Sequence, residues 1–329
     1  MHAIARRCRS RCVAALLCGA VPAWGTASAP LAQELSAAEL RARIVLHGPW
    51  PPAPQRDPSN PVSGQAAAVE FGYRMFREPR MSPNGYVACI SCHQTDRAFT
   101  DSIARAQGLG PVGRNTPTLA NLRLLRWYGW GGASDSLWMA SLKPILDARE
   151  IGADAARVAH VVRVGDGLAC RYRSSFGAWP DAHADERVMV NVARAIAAFV
   201  ETLNTAPTRF DEFRDALARG DSRGIANYPG AARRGAELFV GKARCAACHA
   251  GPNFSDGEFH DAAPSAVRLD GVPDAGREAD LAHWRQSEFN QLGRFARAGA
   301  DPQAQRRRAA PRLPEPGETQ ARYRFRTPA

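Results

Sequence analysis

Apolar residues recur at helical spacing along much of this chain. Between residues 186 and 203, Val188, Val192, Ile196, Phe199 and Leu203 fall every three or four positions and make one stripe, as a helix with a buried face requires. Residues 66–76 show a shorter pattern with Val69, Met75 and Phe76, and residues 233–240 another. Alternating patterns are scarce, so few strands are expected. Gly and Pro break the periodicity between these stretches. Residues 48–61 are Pro-rich and read as an extended arm, a turn falls at Ser82-Pro83-Asn84-Gly85, residues 107–117 form a loop, and Pro207 ends the long helical stretch and marks a boundary. The pattern predicts a mostly α protein with long loops.

The N-terminus follows a different rule. Arg6, Arg7, Arg9 and Arg11 precede a short apolar run from Val13 to Trp24, and Thr26-Ala27-Ser28-Ala29 supplies small residues after it. This is the three-part pattern of a secretory signal over residues 1–29. The run is shorter than the roughly 20 residues that span a bilayer, and an uncleaved anchor is the alternative. No later segment is apolar enough to span. Export places the remaining chain outside the cytoplasm.

Composition modifies this picture only slightly. The chain carries 43 Lys and Arg against 32 Asp and Glu, and the leader removes four of the basic residues and no acid. A mildly basic surface is left, which argues against nucleic acid as the main partner. Arg306-Arg307-Arg308 reads as a solvated loop.

Cysteine placement carries the chemistry. Cys8, Cys12 and Cys18 lie in the leader and Cys170 stands alone. The other four form Cys89-Ile90-Ser91-Cys92-His93 and Cys245-Ala246-Ala247-Cys248-His249. An oxidising compartment favours disulfides, but a His directly after each C-x-x-C changes the reading. Two thiols at this spacing add across haem vinyl groups, and the adjacent His is held under the iron. A zinc site would need the two pairs to converge on one metal. A redox dithiol belongs on a thioredoxin-like βαβ pattern, which is not visible here. Two covalent c-type haems are therefore expected, with His93 and His249 as iron ligands. Such a pair can be a wire, if both irons are capped by protein, or a peroxide-reducing enzyme, if one face is open beneath an acid/base group.

Around these motifs the sequence resembles the bacterial dihaem cytochrome c peroxidases and MauG proteins, from about Asp57 to the end. Phe71 through Ser82 is similar to the family's G-x-x-L-F-x-D-x-R-L-S. Gly113-Arg114-Asn115-Thr116-Pro117-Thr118 resembles R-N-x-P-T, and Trp130 through Leu137 resembles W-D-G-R-A-x-S-L. Pro144-Ile145 through Arg149-Glu150-Ile151-Gly152 is similar to P-I-x-N-x-x-E-M-G. Ser255 through His260 looks like the run after the second haem, and Arg324-Phe325-Arg326-Thr327-Pro328 resembles F-K-T-P.

The resemblance implies a fold of two tandem cytochrome c-like haem domains with long loops. After an arm over 30–62, a peroxidatic domain covers 63–205 and an electron-transfer domain 206–329, the latter truncated at its C-terminus. It implies a cytochrome-c peroxidase that reduces hydrogen peroxide to water. Electrons would come from a small periplasmic cytochrome c or cupredoxin, and a homodimer is compatible with this. Glu150 takes the place of the distal acid/base group, with a surface ion-pair role as the alternative. Trp130 takes the place of a Trp between the haems, against an ordinary core aromatic. Asn115 matches a residue that helps hold an inter-haem calcium ion, against a simple turn former.

Departures from the family pattern are equally specific. The loop before R-N-x-P-T carries Gln107 and no His. Ala140 stands where Gln is frequent, Gly131 replaces the Asp of W-D-G, and no Met follows Met189 to ligate the second haem. Water, His260 or His283 would then take that place. The remaining readings are MauG-like oxidation of another protein's side chains, a plain electron carrier, and an inactive truncated chain. His47, His160 and His183 carry no motif and read as surface or core histidines.

Overall fold

A computed structural model describes residues 35–53, 55–261, 271–296 and 324–328. The leader expected over 1–29 lies outside them. The fold is mostly helical, as the periodicity predicts, and among the described residues the strands are two residues long.

Helix α7 (Asp185–Val200) is the centre of the larger core. Every residue from Val188 to Ala198 is buried, so the stripe read from the sequence is only the most apolar part of a helix enclosed all round. Its alanines let neighbours approach closely. Helices α2 (Ala66–Phe76), α4 (Leu137–Leu146) and α5 (Ala155–Val164) pack on it, and α6 (Leu168–Phe176) packs on α2 and α5. The α2 contact is the tightest: a Cβ on Gly72 would lie 1.9 Å from the Ala195 carbonyl oxygen. Helix starts follow local chemistry. The Ser136 hydroxyl accepts from the Met139 N–H, and Asp154 caps α5 through the Arg157 N–H.

A second, smaller core forms around the second C-x-x-C-H. Ile44 of α1 (Ala37–Val45) meets Phe213 and Leu217 of α8 (Arg209–Arg219) and Val240 of α10 (Gly230–Val240). Phe213 stacks on Tyr228, which follows the short α9 (Ser222–Asn227), with ring centroids 4.3 Å apart. Thr208, just after Pro207, forms a capping box with Asp211 and starts α8.

The two cores exchange helices. The stretch expected as an arm opens with α1, which precedes the first haem motif yet packs against α8 and α10 of the second core. Helix α11 (Arg277–Gln286) follows the second motif, yet its Leu281 and Trp284 are buried in the first core. Trp284 donates to Asp135 at 2.8 Å and meets Trp127 edge-on at 5.5 Å. The tail also returns: β2 (Phe325–Arg326) pairs antiparallel with β1 (Phe259–His260), with Phe259 opposite Arg326.

One buried acid ties stability to pH. Glu201, just after α7, accepts from the Ser63 hydroxyl at 2.7 Å, while its Oε1 has no hydrogen-bond partner among the described residues. Burial, reinforced by Asp57, pushes its carboxyl up to about 7 from 4.5. The folded protein therefore keeps a proton that the unfolded chain releases, and stability falls as pH rises through that interval. Glu201→Gln is expected to raise the melting temperature at about pH 8 and leave it little changed at about pH 4. Equal melting curves for both proteins at the higher pH would contradict this.

Candidate functional site

Each C-x-x-C-H occupies one tight turn. In the first, α3 (Cys89–Cys92) starts after Ala88, whose N–H donates to the Ser91 hydroxyl at 3.1 Å, and the His93 N–H donates to the Cys89 carbonyl at 2.9 Å. In the second, Cys245–Ala247 is a single 3₁₀ turn, and the His249 N–H donates to the Cys245 carbonyl at 3.0 Å. All four thiols are free. Burial pushes the Cys89 thiol up to about 12 and raises Cys92 as well. No three His, Cys, Asp or Glu side chains converge among the described residues, so the two pairs do not share a metal.

Both histidines are prepared as ligands in the same way. His93 Nδ1 faces the Phe99 carbonyl at 2.9 Å, and His249 Nδ1 faces the Phe254 carbonyl at 3.0 Å. A carbonyl fixes Nδ1 as the donor and leaves the Nε2 lone pair for iron. Burial lowers the His93 pKa and keeps the ring neutral, as ligation requires. Phe99 and Phe254 turn their carbonyls back by adopting left-handed φ of 61° and 50°, rare for a bulky residue. A Phe five or six residues after the His is the only trace of this in the sequence. Free thiols, an anchored imidazole and apolar rings beside it (Phe76 at 6.4 Å from His93, Phe239 at 6.4 Å from His249) fit a covalently attached haem at each motif.

Two residues that sequence reasoning left without a role belong to this site. His47, 3% exposed, turns Nε2 to the His249 carbonyl at 3.1 Å and Nδ1 to the Arg43 carbonyl at 3.0 Å. Lys143 Nζ lies 3.6 Å from Glu150 Oε1.

Glu150 is held against the first motif by the loop that carries Gln107. The Gln107 carbonyl lies 3.5 Å from Cys92 Sγ, and two residues on the Leu109 N–H donates to the Glu150 carbonyl at 3.1 Å. Gly108 makes this possible, since a Cβ there would lie 2.7 Å from Glu150 Cα. The Glu150 carboxyl is half-buried. Burial raises its pKa, and Lys143 opposes the rise. A carboxyl partly withdrawn from water beside a cation can serve both as proton acceptor and as proton donor.

Trp130 and Asn115 also come together. The Trp130 indole N–H donates to the Asn115 carbonyl at 3.2 Å, and the Trp130 carbonyl accepts from the Arg326 N–H at 2.8 Å. Trp130 therefore stands between the loop that follows the first motif and the strand that pairs beyond the second. Arg114 clasps Asp274 through Nε at 2.8 Å and Nη2 at 2.5 Å, and Asp280 at 3.0 Å. Arg277 donates to the carbonyls of Gly131 and Gly132 and lies 3.8 Å over the Phe259 ring. The calcium expected at Asn115 does not fit these neighbours. Asn115 is exposed, its carbonyl carries the indole N–H, and the nearby carboxylates are paired with Arg114. Gly131 has a steric reason: a Cβ would lie 2.5 Å from Asp280 Oδ2, so the Asp of the related pattern would meet both a clash and a like charge.

The candidate ligands for the second haem are placed differently from each other. His260 Nε2 is bonded to Asp256 at 2.7 Å. His283 has its pKa lowered by burial and then by Lys143, which puts it on the Glu150 side of the molecule.

Residues 66–219 match the di-haem cytochrome c peroxidase family. The chain is 33% identical over 231 residues to the methylamine utilization protein MauG of Methylorubrum extorquens, covering 70% of this chain and 60% of that one. It is 30% identical over 219 residues to the cytochrome-c peroxidase IdrP2 of Pseudomonas sp. strain SCT, covering 64% of this chain and 53% of the relative. The chain thus spans less than two thirds of these relatives. Among solved structures, the diheme peroxidase BthA of Burkholderia thailandensis superposes with a TM-score of 0.60 at 20% identity, over 84% of this chain and 66% of that one. A MauG-like protein associated with microbial copper homeostasis gives 0.59 at 23% identity, over 85% and 73%. At these identities the structures show a shared fold.

Proposed function

The chain belongs to the family of bacterial dihaem cytochrome c peroxidases and MauG-like proteins, and from that premise we propose that it reduces hydrogen peroxide to two waters, taking two electrons and two protons. The electron source this reading implies is a small periplasmic redox protein. Cys245, Cys248 and His249 would hold the haem at which electrons enter, and Cys89, Cys92 and His93 would hold the haem that, when bound, would supply the iron for peroxide. The protein supplies the rest.

His93 and His249, with rings anchored on the Phe99 and Phe254 carbonyls, would ligate the two irons. Glu150 takes the proton from one peroxide oxygen and returns it to the other, so that water rather than hydroxide leaves. Lys143 holds the Glu150 carboxylate in place between these steps. Trp130, bonded to the loop after the first motif and to the strand paired beyond the second, would serve as the route for electrons. The observation that carries the reading is Glu150 itself: a half-buried carboxyl with a raised pKa, fixed over the first motif by the loop that touches Cys92. The leader pattern over 1–29 supports export to the periplasm, and no helix among the described residues is long and apolar enough to cross a membrane.

The test is made on protein matured with a cytochrome c assembly system. Mass spectrometry after acid denaturation is expected to show two covalent haems, and optical spectra to show peroxide oxidising them with turnover by a reduced cytochrome c. Trp130→Phe is expected to leave the peroxide reaction of the first haem intact and slow its re-reduction from the second. One haem or none, or no optical response to peroxide, would refute the reading. Native-rate transfer in the variant would make Trp130 a packing residue.

A further inference from the structure

A second polar cluster lies in the first core, away from Glu150 and Trp130. Tyr172 on α6 is fully buried. Its hydroxyl lies 2.7 Å from His183 Nδ1 and 2.7 Å from Asn191 Nδ2. The Asn191 amide nitrogen can only donate, so the phenolic oxygen accepts there and its own proton points to His183. That leaves Nδ1 as an unprotonated base at hydrogen-bond distance. A tyrosine needing only a satisfied hydroxyl could take any carbonyl; this one faces a group that can accept and keep its proton.

The ring is connected to the first motif. Tyr172 meets Phe71 edge-on at 6.0 Å and Phe176 at 4.9 Å. Phe71 stands on α2, whose last residue, Phe76, lies 6.4 Å from the His93 ring. The two phenylalanines are separated by about 7.5 Å of helix rise. Helix α2 thus carries one ring against the tyrosine and another beside the haem ligand, both in the same buried core. Burial raises the Tyr172 pKa, opposed by Asn191 and by Arg187, Arg163 and Arg194. The phenol does not ionise unaided, so loss of an electron from it requires a base for its proton.

We propose that Tyr172 and His183 form a redox-active pair that stores one oxidising equivalent when peroxide has reacted and no donor is present. The step is balanced: Tyr172 gives one electron to the peroxide-oxidised first haem and its phenolic proton to His183 Nδ1, leaving a neutral tyrosyl radical beside an imidazolium. An electron arriving later through the haem reduces the radical, and the proton returns. His183 is half-buried at the edge of the core, so the charge it gains is reached by solvent. Asn191 positions the hydroxyl toward the base.

This rests on the peroxidase reading, and one experiment separates the two. The two-haem protein is mixed with one equivalent of hydrogen peroxide without donor, freeze-quenched, and followed by optical and electron-resonance spectroscopy. A neutral tyrosyl radical is expected in the wild type and lost in Tyr172→Phe, with the optical reaction of the haem unchanged. Phe keeps the ring packing, and the unchanged haem reaction controls for folding. His183→Gln keeps a hydrogen-bond acceptor but no base, and is expected to slow radical formation about a hundredfold. Haem oxidation without a tyrosyl signal, a signal that survives Tyr172→Phe, or an undiminished rate in His183→Gln would overturn the pair. Absence of any haem response would overturn the peroxidase reading and this proposal with it.

Discussion

Replacing Glu150 by Gln is expected to slow peroxide cleavage about a hundredfold or more, the scale on which a positioned acid/base group acts. Gln has the same shape and can still accept a hydrogen bond, so peroxide binding changes little and the loss falls on the chemical step. Burial raises the carboxyl's pKa while Lys143 3.6 Å away opposes the rise, a balance that lets it both take and return a proton. Because the carboxylate is the working base, the wild-type rate should rise with pH through the raised pKa. That rise should vanish in Glu150→Gln. Stopped-flow mixing with peroxide measures both effects. An unchanged rate would remove Glu150 from the mechanism and leave its contact with Lys143 as an ordinary ion pair.

The largest effect on stability is expected from Gly72→Ala. Alanine normally favours a helix interior over glycine by about 1 kcal/mol. Here the added methyl would stand 1.9 Å from the Ala195 carbonyl oxygen and 2.4 Å from its carbon. Both belong to the backbone of the most enclosed helix, which cannot yield as a flexible side chain does. Helices α2 and α7 must separate, loosening the core that Phe71, Met75 and Phe76 share with α7. Overpacking of this kind costs about 3 kcal/mol, which outweighs the gain in propensity. Denaturant titration should show a lower midpoint with little change in slope. A midpoint equal to wild type would mean that the two helices have slack.

The helices were the legible part of this fold. The pattern over 66–76 matches α2, the stripe over 186–203 coincides with α7 and its C-terminal turn, and 233–240 falls within α10. Periodicity reports which face is buried, and these faces are buried locally. The haem motifs were legible because five adjacent residues hold all the chemistry. Glu150 and Trp130 came from resemblance, since a lone Glu or Trp has no local signature.

What stayed hidden depends on long-range contact or on backbone conformation. Left-handed turns at Phe99 and Phe254 occur at residues that normally avoid them, so nothing in the residue type announces them. His47 reaches His249 across 202 positions. The clasp of Arg114 on Asp274 and Asp280 joins charges 160 and 166 residues apart. Helix α7 ends at Val200, ahead of Pro207, and a local boundary signal there cannot reveal that α1 and α11 pack across it.

That exchange of helices has a consequence for how the molecule comes apart. A protease nick near Pro207 would not release two self-sufficient pieces. The N-terminal fragment would carry off α1 and lack α11, while the C-terminal fragment would lack the helix that lines Phe213, Leu217 and Val240. Each piece would expose an apolar groove shaped for a segment of the other, and the fragments would re-associate before either refolded alone. Heating should likewise give one cooperative transition, with the surroundings of both haem motifs lost together.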